Sequence, residues 1–248
     1  MTRFAAVFVV AVVAAVGLTA CGEDDEPNRG LPQTSEPVKL DPADFTTTID
    51  NRYLPLRVRA RWEYRETDTT GAREKVVVRV QDKTKRIANG VTARVVRDTA
   101  TEKGVPVEVT DDWYAQDKDG NVWYLGEYVT NYEDGKVVDH DGSWEAGVDG
   151  AHAGIAMPAD PEPGLSYRQE YYKGEAEDRG AIVSIGEELV EVPFGFFKEG
   201  VVMTRDHSAT QPKVQELKFY VPGIGNVLSV HTDGDGGRAE LVAFNRGR

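Results

Sequence analysis

The chain has 248 residues, and its 42 acidic side chains outnumber 29 basic ones, for a formal charge of −13. That balance repels nucleic acid and anionic lipid headgroups, so it argues against a DNA or RNA partner. Cys21 is the only cysteine, which leaves no disulfide to form and places the burden of stability on a packed core.

The chain opens on a basic head, Met-Thr-Arg, followed by an apolar run of mainly Ala, Val and Phe from Phe4 to Gly17. A charged head and then an apolar stretch of this length have the order of a secretory signal. Leu18-Thr19-Ala20-Cys21 comes next. Small residues before a cut and a thiol after it are what lipoprotein maturation needs, so cleavage before Cys21 and a diacylglyceryl lipid on its sulfur are expected. An uncleaved span is the rival, since Phe4 to Cys21 approaches the roughly 17–25 residues that a crossing needs. The acidic Gly-Glu-Asp-Asp-Glu directly after Cys21, with no basic cluster, speaks against it.

From Gly22 to about Asp44 the chain is polar and acidic and carries Pro27, Pro32, Pro37 and Pro42. Such a composition buries too little apolar surface to fold, and a flexible tether on the order of 25 Å is expected. One domain then occupies residues 45–248. Within it the short β-branched or aromatic runs Trp62–Thr67, Lys75–Val80, Ala93–Asp98 and Glu108–Tyr114 read as strands. Thr70-Gly71, Asn89-Gly90, Lys103-Gly104, Asp119-Gly120 and Asp134-Gly135 separate or follow them as turns, because such pairs supply the positive φ of tight hairpins. Further strands are expected at Ala181–Ile185, Gly200–Thr204, Val214–Val221, Val227–His231 and Ala239–Phe244. No stretch keeps a helical period over three turns.

A shift of about 108 residues places Pro55 on Pro163, Tyr64 on Tyr172 and Arg97-Asp98 on Arg205-Asp206. A slightly smaller shift matches Tyr114 with Tyr220 and Asn121-Val122 with Asn226-Val227. The pattern predicts a duplicated unit: repeat one over 51–130, repeat two over 161–244. The fold class expected is all-β, with two tandem antiparallel meanders forming a sandwich, clam or partly open barrel.

The phrases Asp112-Trp-Tyr-Ala-Gln-Asp-Lys-Asp-Gly-Asn-Val-Trp-Tyr-Leu-Gly-Glu127, Gly142-Ser-Trp-Glu-Ala-Gly-Val-Asp-Gly150 and Tyr167-Arg-Gln-Glu-Tyr-Tyr-Lys-Gly-Glu-Ala-Glu-Asp178 resemble a family of bacterial exported β-rich proteins and lipoproteins that carries no assigned activity. The resemblance covers most of residues 50–243. It implies a β-rich extracytoplasmic domain and supplies no catalytic residue. A curved sheet like that of lipoprotein carriers is a fold analogy only. The segment Pro193-Phe194-Gly195-Phe196-Phe197 departs from the family, and its extra aromatics would form an apolar patch if they faced outward.

No catalytic or cofactor motif stands out. Asp117-Lys-Asp119-Gly120-Asn121 starts like a calcium loop but lacks glycine at the sixth position and glutamate at the twelfth, so it reads as a hairpin. Asp233 to Gly237 fails in the same way. His140, His152, His207 and His231 have no helical i, i+4 pair, and no His-Glu-x-x-His occurs. There is no Gly-x-Ser-x-Gly elbow and no dinucleotide or phosphate loop, and no metal or cofactor is expected.

The segment 131–160 has no counterpart in either repeat and reads as an inter-repeat loop of a length that is often functional. Trp144, Glu145, Asp149, His152 and Met157 within it form the candidate ligand site, with a plug anchored by Trp144 and Met157 as the structural alternative. The expectation is a membrane-anchored extracytoplasmic lipoprotein, a non-catalytic binding or carrier module for an apolar or glycan ligand. The alternatives are an envelope hydrolase using Asp139, Glu145, Asp149 and His152, or a structural, protein-interaction module.

Overall fold

The computed structural model describes residues 30–248 apart from 69, 72, 209–214 and 233–236. The leader, Cys21 and most of the Asp233–Gly237 run lie outside the described residues. The regular elements of the described chain are nearly all strands, with one 3-10 turn at Pro42–Asp44 and no α-helix.

A short β1 (Phe45–Thr46) precedes five long strands in hairpin order: β2 (Arg61–Asp68), β3 (Arg73–Arg86), β4 (Thr92–Glu102), β5 (Val105–Asp117) and β6 (Val122–Glu133). The hairpins sit at the expected turns. Between β4 and β5, Glu102 pairs with Val105 across the two-residue turn Lys103-Gly104, and both turn residues have positive φ, 50° and 84°. That mirror-image turn matches the right-handed twist of the strands it joins. Asp134-Gly135 does the same between β6 and β7 (Lys136–Asp139).

The next strands are β8 (Trp144–Glu145), β9 (His152–Met157), β10 (Ser166–Arg168) and β11 (Glu170–Tyr171). A second meander follows with β12 (Asp178–Ile185), the small hairpin β13 (Val190–Val192) and β14 (Gly195–Phe197), then β15 (Val202–Ser208), β16 (Gln215–Val221), β17 (Gly225–His231) and β18 (Gly237–Asn245). β13 and β14 form a separate two-stranded sheet.

Everything else joins one large antiparallel sheet, ordered β12-β15-β16-β17-β18-β2-β3-β4-β5-β6-β9. Its two ends meet on one short stretch of chain. Ser166 to Arg168 pairs with β12, and two residues later Glu170 and Tyr171 pair with β9. The sheet is thereby nearly closed into a barrel, of the kinds expected the partly open one. At this seam the backbones come so close that a Cβ on Gly154 would lie 2.3 Å from the Gln169 carbonyl oxygen. Only glycine fits there.

Some landmarks of the sequence shift fall on strands in both halves and others do not: Tyr64 is on β2, whereas Tyr172 makes only an isolated bridge with Ala176. Arg97-Asp98 is on β4 and Arg205-Asp206 on β15, while Tyr114 is on β5 and Tyr220 on β16. The core is aromatic and aliphatic, with Trp62, Trp113, Trp123 and Trp144 all buried.

Two expectations are corrected. Residues 131–160 are not a loop: β7, β8 and β9 all pair with β6. Of these, β9 is built on Ala, Gly and one Ile, with no room for a Cβ at Gly154, while β7 and β8, at four and two residues, are too short to give an alternating signal. The last part of the expected tether is also not free. Pro32 accepts a hydrogen bond from the Arg168 backbone N–H at 2.7 Å, and Gln33 donates to the Ser166 carbonyl at 2.8 Å. Leu31, Val38 and Leu40 pack on the core. Composition misses this docking because a buried arginine holds it through backbone carbonyls. Arg168 is 1 % exposed, and its guanidinium donates to the carbonyls of Thr34, Glu36 and Ala153.

Candidate functional site

Successive strand residues point to opposite faces, so in a barrel every second residue enters the interior. On β2 these are Tyr64 and Glu66, on β3 Val76 and Val78, on β4 Val96 and Asp98, on β5 Asp112 and Tyr114, and on β16 Lys218 and Tyr220. With Leu54, Leu56, Tyr124, Glu170 and Asp178 they line a cavity of about 400 Å³. The neighbouring Asp111 shows the alternation. It faces outward, where Arg97 grips both its oxygens at 2.8 Å and Lys83 adds a third contact at 3.1 Å.

Five carboxyls line the cavity: Glu66, Asp98, Asp112, Glu170 and Asp178. Burial disfavours the charged forms of Glu66, Asp98, Asp112 and Glu170, and nearby carboxyls add to it. Burial and Glu108 push Asp98 up to about 6. Burial and Asp98 push Asp112 up to about 7, against the hydrogen bond that the Tyr124 hydroxyl donates to it at 2.8 Å. Glu170 is pushed up to about 8 by burial and then by the nearby Asp178. Burial also raises Glu66, with Glu74 next. Beside the cavity on β6, burial together with Asp112 and Glu170 pushes Glu127 up to about 9.

Among the described residues Lys218 is the one cationic side chain of the lining. Its ammonium is 2.9 Å from Asp206 and 3.1 Å from Glu216. Burial opposes its charge, yet those two carboxylates hold it well above the usual lysine value. Its charge is thus mostly engaged by these two, although it still favours the ionised form of Glu170. Glu170 also has a buried oxygen, Oε2, without a hydrogen-bond partner.

The five residues singled out between 131 and 160 do not come together, and none lines this cavity. Trp144 and Met157 are core, at 5 % and 0 % exposure. Glu145 is tied to Lys85 at 3.0 Å and to the Ala88 N–H at 2.7 Å. Asp149 is exposed in a turn with φ 48°, and the His152 ring stacks on Tyr171 at 5.7 Å. Asp139 is bound to Asn131 and no contact joins it to Glu145, Asp149 or His152, so the carboxylate–histidine constellation of a hydrolase is not assembled there. Asp117 caps its hairpin, accepting from the Asp119 and Asn121 backbones and the Trp123 indole. Among the described residues no three of His, Cys, Asp and Glu are placed to hold a metal ion.

No family model and no curated protein matches the chain. Among solved structures, it is similar to a Bacteroides fragilis protein described as exported and having a YmcC-like fold, with 16% identity and TM-score 0.43 over 79% of this chain and 99% of that one. It is also similar to a Parabacteroides distasonis protein described as a lipoprotein, with 13% identity and TM-score 0.39 over the same shares.

The lining carboxyls were missed in the sequence because charged residues on a strand read as solvent-facing. A signal was present in their parity. Glu66, Asp112 and Lys218 each stand two residues from a tyrosine, Tyr64, Tyr114 and Tyr220, and so share its face.

Proposed function

We propose that the protein is an exported lipoprotein, held through a lipid on Cys21 at the extracytoplasmic face of a membrane, whose barrel interior binds a small polar ligand. The leader pattern before Cys21 supports the address. Gly30 is nine residues from Cys21, at most about 30 Å of extended chain, so the docked segment from Leu31 onward keeps the barrel near its anchor.

The observation that carries the binding reading is the cavity. Protein interiors are close-packed and hold few voids larger than a water, whereas about 400 Å³ lies in the range of small-molecule sites. Its chemistry turns the expected choice of an apolar or glycan ligand toward the polar class. An apolar ligand would strip water from five carboxyls and return no hydrogen bonds. Carboxyls and tyrosine hydroxyls instead offer acceptors and donors on several walls.

Native mass spectrometry of the full chain, extracted from membranes in mild detergent, tests both parts. The expected result is a small molecule retained on the folded chain and a diacylglyceryl group on the peptide that begins at Cys21. An unmodified cysteine would refute the anchor. A chain that stays empty after exposure to cell extract would refute the binding role.

A further inference from the structure

We infer that the β13–β14 hairpin is a membrane-docking tip, whose Leu189, Phe194 and Phe196 enter the headgroup layer of a zwitterionic phospholipid bilayer. The inference rests on the lipid at Cys21, which brings a bilayer within reach, and adds which end of the barrel meets it.

The hairpin lies between the end of β12 and the start of β15. Register sets Ile185 beside Val202, Val202 beside Tyr220, Val221 beside Gly225 and Asn245 beside Arg61, so these strand ends share one end of the barrel. The base of the hairpin is fixed there. Val190 and Val192 are buried, the Phe194 N–H donates to the Leu241 carbonyl at 3.0 Å, and the Phe194 ring packs edge-on against Phe244. Its outer side is bare. Leu189 is 71 % exposed, Phe196 58 % and Phe194 39 %, and the first two are the most exposed large apolar side chains among the described residues. These are the aromatics that depart from the family phrase, and they do face outward.

Area and tether choose a bilayer over a protein partner. Fully covered, three such side chains bury on the order of 500 Å², short of the roughly 800 Å² per partner of a stable protein interface. Membrane affinity instead grows with whatever apolar area is buried at the boundary of headgroups and acyl chains. Gly30 is nine residues from Cys21, at most about 30 Å of chain. Such a tether makes docking intramolecular, so a tip too weak to hold an untethered chain is still occupied.

The charges around the tip come in both signs. Exposed Arg52 and Arg246 stand at its foot, each with a guanidinium nitrogen 3.7 and 3.9 Å from where a Cβ on Gly200 and Gly223 would lie. Glu191 lies directly across the hairpin from Phe196, and Glu187 is exposed two residues before Leu189. Guanidinium groups suit lipid phosphates, and the glutamates suit the ammonium of the same headgroup. An anionic headgroup would be repelled by these glutamates and by the acidic chain as a whole.

The lipidated full chain in phosphatidylcholine vesicles provides the test. Lipid blocks the Cys21 thiol, so Leu189→Cys, Phe196→Cys and, at the far end of the barrel, Val137→Cys each give one site for an environment-sensitive fluorophore. All three positions are exposed, so the substitutions leave the core intact. A nitroxide on the lipid acyl chain is expected to quench the labels at 189 and 196 and to leave that at 137 bright. Adding Phe196→Ser to Leu189→Cys should lower the ratio of docked to free chain about fivefold, as loss of a large buried apolar side chain does. Replacing half the lipid with phosphatidylglycerol should lower it too. Quenching at 189 and 196 no greater than at 137 would overturn the inference, and so would stronger quenching with phosphatidylglycerol. Labels that respond to protein concentration but not to the nitroxide would overturn it in favour of a second copy of the chain. The mass of the Cys21 peptide from the same sample reports the anchor separately: an unmodified cysteine beside quenched labels would refute the anchor and uphold the docking tip.

Discussion

Asp112→Asn separates the charge of one cavity carboxyl from its shape. The amide oxygen can still accept the hydrogen bond from Tyr124, so packing and bonding are kept and only ionisation is lost. In the fold, burial and the nearby Asp98 push the Asp112 carboxyl from 3.8 up to about 7. The folded state therefore binds this proton more tightly than the unfolded chain does. Its contribution to stability is fully present below about pH 3.8 and is lost as pH rises through about 7. Between about pH 5 and about pH 8 the linkage relation gives a loss of about 2–3 kcal/mol from this one group. Urea denaturation of parent and variant at the two pH values, followed by the fluorescence of the four buried tryptophans, measures the difference. The Asn variant should gain on the parent by that amount as pH rises, or about 4–12 °C in Tm at roughly 2–4 °C per kcal/mol. Parallel behaviour of the two proteins across the range would refute the placement of Asp112 as a desolvated, repelled carboxyl.

Gly154→Ala puts a Cβ 2.3 Å from a backbone oxygen at the seam, and the urea midpoint should fall by an amount equivalent to about 1–3 kcal/mol; an unchanged midpoint would mean that the seam is not this tight. Arg168→Met leaves the Thr34, Glu36 and Ala153 carbonyls without their donor. Stability should drop by about 2–4 kcal/mol, with hydrogen exchange over residues 31–40 accelerating, whereas protection equal to the parent's would show the segment is held by other means. Cys21→Ser should move the protein from the membrane fraction to the soluble extracytoplasmic fraction, and persistence in the membrane would argue for an uncleaved span. Phe196, on the β13–β14 hairpin, is 58 % exposed, so Phe196→Ser should change stability by no more than about 0.5 kcal/mol, as read from the same melts.

The meanders were legible because their signals are local. A run such as Trp62-Glu-Tyr-Arg65 alternates, and Lys103-Gly104 or Asp134-Gly135 supplies the positive φ of a tight hairpin. What stayed hidden depends on pairing across the whole chain. Gly154 reads as a loop glycine until Gln169, fifteen residues on, is brought against it. Pro32 and Gln33 read as tether until Ser166 and Arg168 offer them partners. The cavity was hidden for a further reason. Alternation states that Asp111 and Asp112 face opposite ways but not which of them faces in, and an acidic residue is ordinarily assigned to water. Arg97 and Lys83 on the outside claim Asp111, and Asp112 is left inside by exclusion. Trp144 and Met157, which the sequence offered either as ligand contacts or as anchors of a plug, are buried in the core.

The junction of β18 with β2 has a bearing on how the molecule is born. Arg61 pairs with Asn245 and Tyr64 with Leu241, so the first long strand must wait for β18, far along the chain, before its free edge is covered. Such distant pairings are slow to form, and an uncovered edge invites association with other chains. A polypeptide threaded stepwise through a translocation channel would thus complete its ring only after β18 emerges. Removal of β18 should yield not a slightly smaller barrel but an open, self-adhesive ribbon.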